Sequence, residues 1–258
     1  MSVLLQQYPT RPGSRLRVEL ATTLEDIHAS QALRYRVFAE ELGASIDGGP
    51  SARDEDRFDA WCQHLLVREC DGGRIVGSTR LLLDGQAQRA GGFYSSGEFD
   101  ISPLLSLPGR RLEVGRTCID PEYRKGAAIA VLWSGLAEFI KTHRIDWMFG
   151  CASVAMHDGG AHVQAIMNRV RQHALTPADC RARPKRPLPA LPPGSGDTVS
   201  APLPPLLKAY FRAGARACGE PCHDPAFNCA DILVLVKVSE MDASYTRHFI
   251  DRITETGV

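Results

Sequence analysis

Apolar residues recur along this 258-residue chain in two rhythms, and the switching between them predicts a mixed α/β architecture. Arg15–Leu20 reads as a first strand behind a tail with two prolines. Thr22 and Glu25 have capping-box spacing, and Leu24, Ile27, Leu33, Val37 and Phe38 then mark a helix to about Leu42. Gly43–Pro50 is a loop, broken by Gly48-Gly49-Pro50. His64–Cys70 and Arg74–Leu83, joined by Asp71-Gly72-Gly73, predict a β-hairpin. Asp84–Leu107 follows neither rhythm. Arg111–Ile119 is a strand that Asp120-Pro121 ends. Ala127–His143 is the clearest helix, with Ile129, Leu132, Trp133, Leu136 and Ile140 on one side. Ile145–Val154 reads as a buried strand and Gly159–Gln172 as another helix. Leu206–Arg212 (helix), Ile232–Val238 (strand) and Ser244–Thr254 (helix) close the pattern.

Nine prolines fall between Pro177 and Pro205, so that stretch reads as an exposed linker or lid. The expected division is therefore 1–20, tail and first strand; 21–176, the α/β core; 177–205, a proline- and arginine-rich linker; and 206–258, a segment completing the same domain. Thirty basic residues balance thirty acidic ones, so no global field draws the chain to nucleic acid. Eight cysteines show no framework spacing, and the N-terminal apolar run is too short for a signal peptide. Reduced thiols in a cytoplasmic protein are expected. No run of 18 apolar residues exists to span a membrane.

The stretch LEVGRTCIDPEYRKGAAI is the richest in chemistry. A strand ends, a basic turn with one glycine follows, and a helix begins. Such a helix start is either a plain structural turn or an anion cradle built on exposed N–H groups. It is neither a Walker A loop nor a dinucleotide fingerprint. Glu113 and Arg116 lie three apart, which puts them on opposite strand faces unless a bulge at Gly115 intervenes. They read either as a buried ion pair or as a site carboxylate beside an orienting guanidinium. Arg34 sits on the first helix. Asp54, Asp56 and Asp59 follow on a loop, where Asp56 and Asp59 suit either one face of a helical turn or a simple cap. Cys218, Cys222, His223 and Cys229 have irregular spacing, so inert thiols are expected and no metal. His157 is read as support at most. The basic run Arg169, Arg171, Arg181, Arg183, Lys185 and Arg186 is either a solvated linker or a dock for an acidic partner.

Several segments together carry a family resemblance: LRYRVFAEELGA, DEDRFDAWCQHLLV, IVGSTRLLL, GGFYSSGEFD, LEVGRTCIDPEYRKGAAIAVLWSGLAEF, WMFGCASV and PPLLKAYFRAGARACGEPCHDPAFNCADILVLVKV. In this order they span most of residues 24–250. The chain resembles the acyltransferases of ornithine lipid synthesis. More distantly it is similar to the acyl-homoserine-lactone synthases and long-chain N-acyl amino acid synthases, all of the GNAT superfamily. The resemblance implies a GNAT-like acyl-CoA N-acyltransferase fold: a mixed central β-sheet flanked by helices, splayed between two parallel strands, Arg111–Ile119 and Ile145–Val154.

It also implies residue roles. Glu113 would be the base and Arg116 its neighbour in catalysis. Arg34, Phe38, Asp56, Asp59, Arg80 and Phe99 would bind substrate. Arg124, Lys125, Gly126, Ala127 and Ala128 would hold the donor's phosphate. Tyr123 departs from the Gln or Arg usual at the first position of that loop, which favours an acyl carrier protein, with its single phosphate, over coenzyme A. No cofactor is expected to be tightly bound; the donor is an acyl-phosphopantetheine thioester. The implied reaction is transfer of a (3-hydroxy)acyl group from acyl carrier protein to the α-amino group of ornithine. Alternatives are synthesis of another N-acyl amino acid or lactone-type signal, or a non-catalytic regulator that binds carrier protein or acyl-CoA. A reversible contact with an anionic membrane surface is a further expectation.

Overall fold

The computed structural model describes residues 14–125, 127–191 and 202–241. In chain order the elements are β1 (Leu16–Leu20), α1 (Leu24–Tyr35), β2 (Gln63–Glu69), β3 (Ile75–Leu83), α2 (Asp84–Arg89), β4 (Phe99–Asp100), α3 (Ser102–Leu105) and β5 (Arg111–Ile119). Then come α4 (Ala128–His143), β6 (Trp147–Ala155), α5 (Ala161–His173), β7 (Arg183–Pro184), α6 (Pro205–Arg212), β8 (Arg216–Ala217), β9 (Cys222–Asp224) and β10 (Cys229–Lys237). The chain forms two compact units that divide β5. Among the described residues, the first holds those up to Ala90 and Val114–Ile145; the second holds Gly91–Glu113 and those from Asp146 on.

In the first unit β2 pairs antiparallel with β1 and with β3, the latter through a register shift between Val67 and Arg68. β3 neighbours β5. Every residue of β3 is buried, including Ser78, Thr79 and Arg80 at its centre, between apolar pairs and triplets at its ends. Leu33, Val37, Leu66, Ile75 and Cys118 form an apolar cluster, with Phe38 packed against it. Thr23 caps α1, accepting a hydrogen bond from the Asp26 N–H, one residue beyond the expected Thr22. The α-helix stops at Tyr35 and continues as a π-helical stretch, Arg36–Glu41, where a single α-helix to Leu42 was expected.

In the second unit β5 and β6 run parallel, with registers Arg111↔Trp147, Leu112↔Met148 and Glu113↔Phe149. The expected adjacent parallel pair is present, and its pairing is confined to the first three residues of β5. β10 runs antiparallel to β6 over nine residues, and β8 and β9 both pair with β10, so the sheet is mixed. The proline-rich stretch is anchored where it begins. Arg183–Pro184 pairs with β4, Pro187 bridges Cys222, the Ala182 N–H donates to the Cys218 carbonyl and the Lys185 N–H to that of Glu98. Residues 192–201, and the expected helix Ser244–Thr254, lie outside the described residues.

Candidate active site

α1 turns an unusual face inward. Ser30, Gln31, Leu33 and Arg34 are its buried residues, so two long polar side chains, three apart and one above the other, leave an apolar setting together. Burying Arg34 completely is costly unless each of its donors is met. All three nitrogens are. Nε donates to Asp54 Oδ2 at 2.9 Å, Nη1 to Asp59 Oδ1 at 2.7 Å, and Nη2 to Asp59 Oδ2 at 3.0 Å and to the Asp54 carbonyl. Arg80, from the fully buried β3, donates to Asp56 Oδ1 at 2.6 Å and to Asp59 Oδ1 at 3.2 Å. Arg116 Nε donates to Asp54 Oδ2 at 3.1 Å. Three arginines thus meet three aspartates. Asp56 and Asp59 lie in a turn, not on a helical face; the Asp56 N–H donates to Asp59 Oδ2, and Asp56 Oδ1 accepts from the Phe58 N–H.

Burial alone would push Asp59 upward. The Arg34 hydrogen bonds, with the charges of Arg34 and Arg80, outweigh it and hold this carboxyl well below the usual carboxylate range. His64 is lowered, chiefly by burial; its Nε2 donates to the Asp59 carbonyl at 3.0 Å. His64 Nδ1 and Asp56 Oδ2 are buried without a hydrogen-bond partner among the described residues, and Arg116 Nη2 lies 3.8 Å from that Asp56 oxygen.

β5 makes its irregular step at Arg116, which adopts φ +50°, rather than at the expected Gly115. Left-handed backbone at a non-glycine residue costs about 1–2 kcal/mol. Here the Arg116–Asp54 pair lies against it, and Thr79 Oγ1 bonds both the Gly115 carbonyl and Thr117 Oγ1 alongside.

Glu113 belongs to the second unit. Its carboxylate caps the start of the turn Tyr94–Gly97, accepting from the Tyr94 and Ser95 N–H groups, each at 2.7 Å, and from the Ser95 hydroxyl. Ser95 Oγ lies 3.6 Å from Cys151 Sγ, and that thiol donates to Glu98 Oε2 at 3.3 Å. Burial first, then the nearby Asp231 charge, push the Glu98 carboxyl up to about 8. The Cys151 thiol is also raised, by burial and by Glu98.

The structure thus brings Arg34, Asp56, Asp59, Arg80 and Arg116 into one network. It adds Asp54, Gln31 and His64, which were not assigned roles; Gln31 stands three residues before Arg34 and was legible as sharing its face. Phe38 packs on the apolar cluster, and Phe99 is buried in β4. In the expected phosphate loop, Arg124 is engaged: its Nη atoms donate to both Glu41 oxygens and its Nε to the Ile119 carbonyl. Tyr123 turns its hydroxyl to Glu69. Lys125 is exposed, Ala127 begins α4 without a side-chain cap, Ala128 is buried, and Gly126 lies outside the described residues.

The four residues imagined as a zinc set are not gathered. The His/Cys/Asp/Glu group that does converge among the described residues is Asp224, Cys229 and Asp231, already occupied by the Ser153 hydroxyl on Asp231 and the Ala226 N–H on Asp224. The basic run is partly tied down: Arg171 forks onto Glu220, and Arg181, Lys185 and Arg186 reach backbone carbonyls.

Residues 33–134 match the acetyltransferase (GNAT) domain family. An L-ornithine N(alpha)-acyltransferase of Rhizobium meliloti is 36% identical over 92% of this chain and 84% of its own length. The chain belongs to the L-ornithine N(alpha)-acyltransferase family. The Brucella abortus enzyme of the same name is also 36% identical, over 93% of this chain and 90% of its own. In fold, the chain is similar to the CoA-dependent acyl-homoserine lactone synthase BjaI (TM-score 0.52, 17% identity, 91% of this chain and 85% of that one). It is likewise similar to FeeM, an N-acyl amino acid synthase from uncultured soil microbes (TM-score 0.51, 12% identity, 88% and 92%). The family's work is acyl transfer from a thioester donor to an amino group on this GNAT-like mixed α/β fold.

Proposed function

We propose that this protein acylates the α-amino group of ornithine, taking a 3-hydroxyacyl chain from acyl carrier protein to make the lyso form of an ornithine lipid. The full-length likeness to L-ornithine N(alpha)-acyltransferases carries this reading. The chemistry agrees with it. An amino acid acceptor needs a carboxylate for its ammonium and a guanidinium for its carboxylate. Asp56 Oδ2, buried and lacking a hydrogen bond, suits the first, and Arg116 the second. Glu113 is the base. Three donors favour its ionised form, the form a base must start from, and fixed backbone N–H groups hold it in place.

The donor would be a carrier protein rather than coenzyme A, because Tyr123 and Arg124 are already committed to Glu69 and Glu41. Reversible contact with an anionic surface through Arg183 and its basic neighbours would let the amphipathic product leave. No helix among the described residues is long and apolar enough to cross a membrane. The test is reconstitution with 3-hydroxyacyl carrier protein and each of several amino acids, the products read by mass. An N-acyl-ornithine should dominate; equal acylation of unrelated amino acids, or no amide at all, refutes the assignment.

A further inference from the structure

Glu113 poses a chemical problem. The three hydrogen bonds that keep it ionised also make it a poor place to leave a proton. The residue is 4% exposed, so water does not readily clear it. Glu98 is its opposite. Burial and two neighbouring carboxylates, Asp231 and Asp224, favour its neutral form against the opposing Cys151 and Tyr94 hydrogen bonds. A pair of carboxyls whose surroundings push them apart in this way commonly divides acid and base work. Two side chains connect them, both able to donate and to accept: Ser95 Oγ, bonded to Glu113 Oε1, and Cys151 Sγ, 3.6 Å from Ser95 Oγ and 3.3 Å from Glu98 Oε2.

We infer that Ser95, Cys151 and Glu98 form a proton path in which Glu98 stores the proton that Glu113 takes from the acceptor nitrogen, then returns it to the departing thiolate. This rests on the reading of Glu113 as the base. The steps balance. The amine, its first proton already lost to solvent, attacks the thioester carbonyl, and its nitrogen–proton bond breaks to Glu113. Glu113 passes that proton to Ser95 Oγ, the Ser95 hydroxyl proton moves to Cys151 Sγ, and the Cys151 thiol proton moves to the Glu98 carboxylate. Ser95 and Cys151 each end with one proton, as they began. When the carbon–sulfur bond breaks, the same hops run backward and the thiolate leaves as a thiol.

The groups facing Glu98 are Tyr94 on its own segment, Cys151 on β6, Asp224 on β9 and Asp231 on β10, with Cys222 and Cys229 sensing its charge. Lys185 fixes the segment by bonding the Ser96 and Glu98 carbonyls. Ser95, Cys151 and Glu98 act through Glu113 and so are positioning residues for its proton.

The experiment compares Cys151→Ala with Cys151→Ser at saturating substrate and at a pH above about 8, where Glu98 is ionised and can accept. Both lose the sulfur, but only serine can relay a proton. Alanine should lower kcat at least about tenfold, toward the 10²–10⁴-fold worth of acid–base catalysis, with KM little changed, and serine should restore most of it. Equal kcat for the two variants, whether high or low, overturns the path. In a second measurement, the ratio of wild-type to Glu98→Gln kcat should climb with pH through about 8, where Glu98 ionises and can accept. A flat ratio also overturns it. Glu113→Gln separates the two claims: if it is inactive while Cys151→Ala is fully active, only the path fails; if it stays active, the base assignment itself fails.

Discussion

Replacing Arg34 by methionine keeps most of the side-chain volume and removes the charge at the centre of the aspartate network. Arg34 is fully buried and supplies four hydrogen bonds to Asp54 and Asp59. Removing one partner of a buried ion pair typically costs about 3–5 kcal/mol, because a desolvated charge is left behind. Two features set this case near the lower end. Asp54 keeps Arg116 at 3.1 Å, and Asp59 keeps Arg80 at 3.2 Å. For a chain of this size each kcal/mol moves Tm by about 2–4 °C, so a loss of about 3 kcal/mol lowers Tm by about 6–12 °C. Acid should close the gap. Asp59 is depressed in the folded state, so its contribution is complete above the unfolded aspartate value of about 3.9 and is lost as pH falls below it. Melting of both proteins from pH 7 to pH 3 checks this. The difference should be constant down to about pH 5 and shrink below about pH 4. A variant that melts within 2 °C of the wild type at pH 7, or a gap that widens in acid, would show that the network does not carry the stability assigned to it.

Glu113→Gln should lower kcat about 10²–10⁴-fold while leaving donor binding intact; steady-state kinetics with the donor varied decide. At matched acyl length, kcat/KM should favour the carrier-protein donor, and equal or better efficiency with acyl-CoA counts against the loop argument. Flotation with anionic liposomes should succeed at low salt and fail at high salt, whereas binding indifferent to salt and headgroup removes the electrostatic contact. Gly135→Ala should destabilise by about 1–3 kcal/mol despite alanine's better helix propensity, since its Cβ would collide with Val18 on β1; an unchanged Tm contradicts that close approach.

Periodicity and turn residues were sufficient for the major strands and helices, because each is specified locally. β3 needs apolar residues at both ends and a Gly-Gly turn before it, and α4 needs one apolar stripe. The candidate residues were legible as types: arginines and aspartates placed in otherwise apolar or turn segments announce costs that something must offset. What offsets them is not local. Arg34 meets Asp54 and Asp59 from 20 and 25 positions away, and Arg116 meets Asp54 across 62. Only the packing of α1, β3 and β5 could decide that Arg116, and not Gly115, takes the left-handed backbone step. The spacing of Glu113 and Arg116 suggested an ion pair as readily as a site. Tertiary structure gave Glu113 the N–H groups of Tyr94 and Ser95, and gave Arg116 the carboxylate of Asp54. Glu98 was invisible for the same reason. A glutamate inside GGFYSSGEFD reads as a polar loop residue, and its affinity for a proton rises only when burial and Asp231, 133 positions later, raise the cost of its charge.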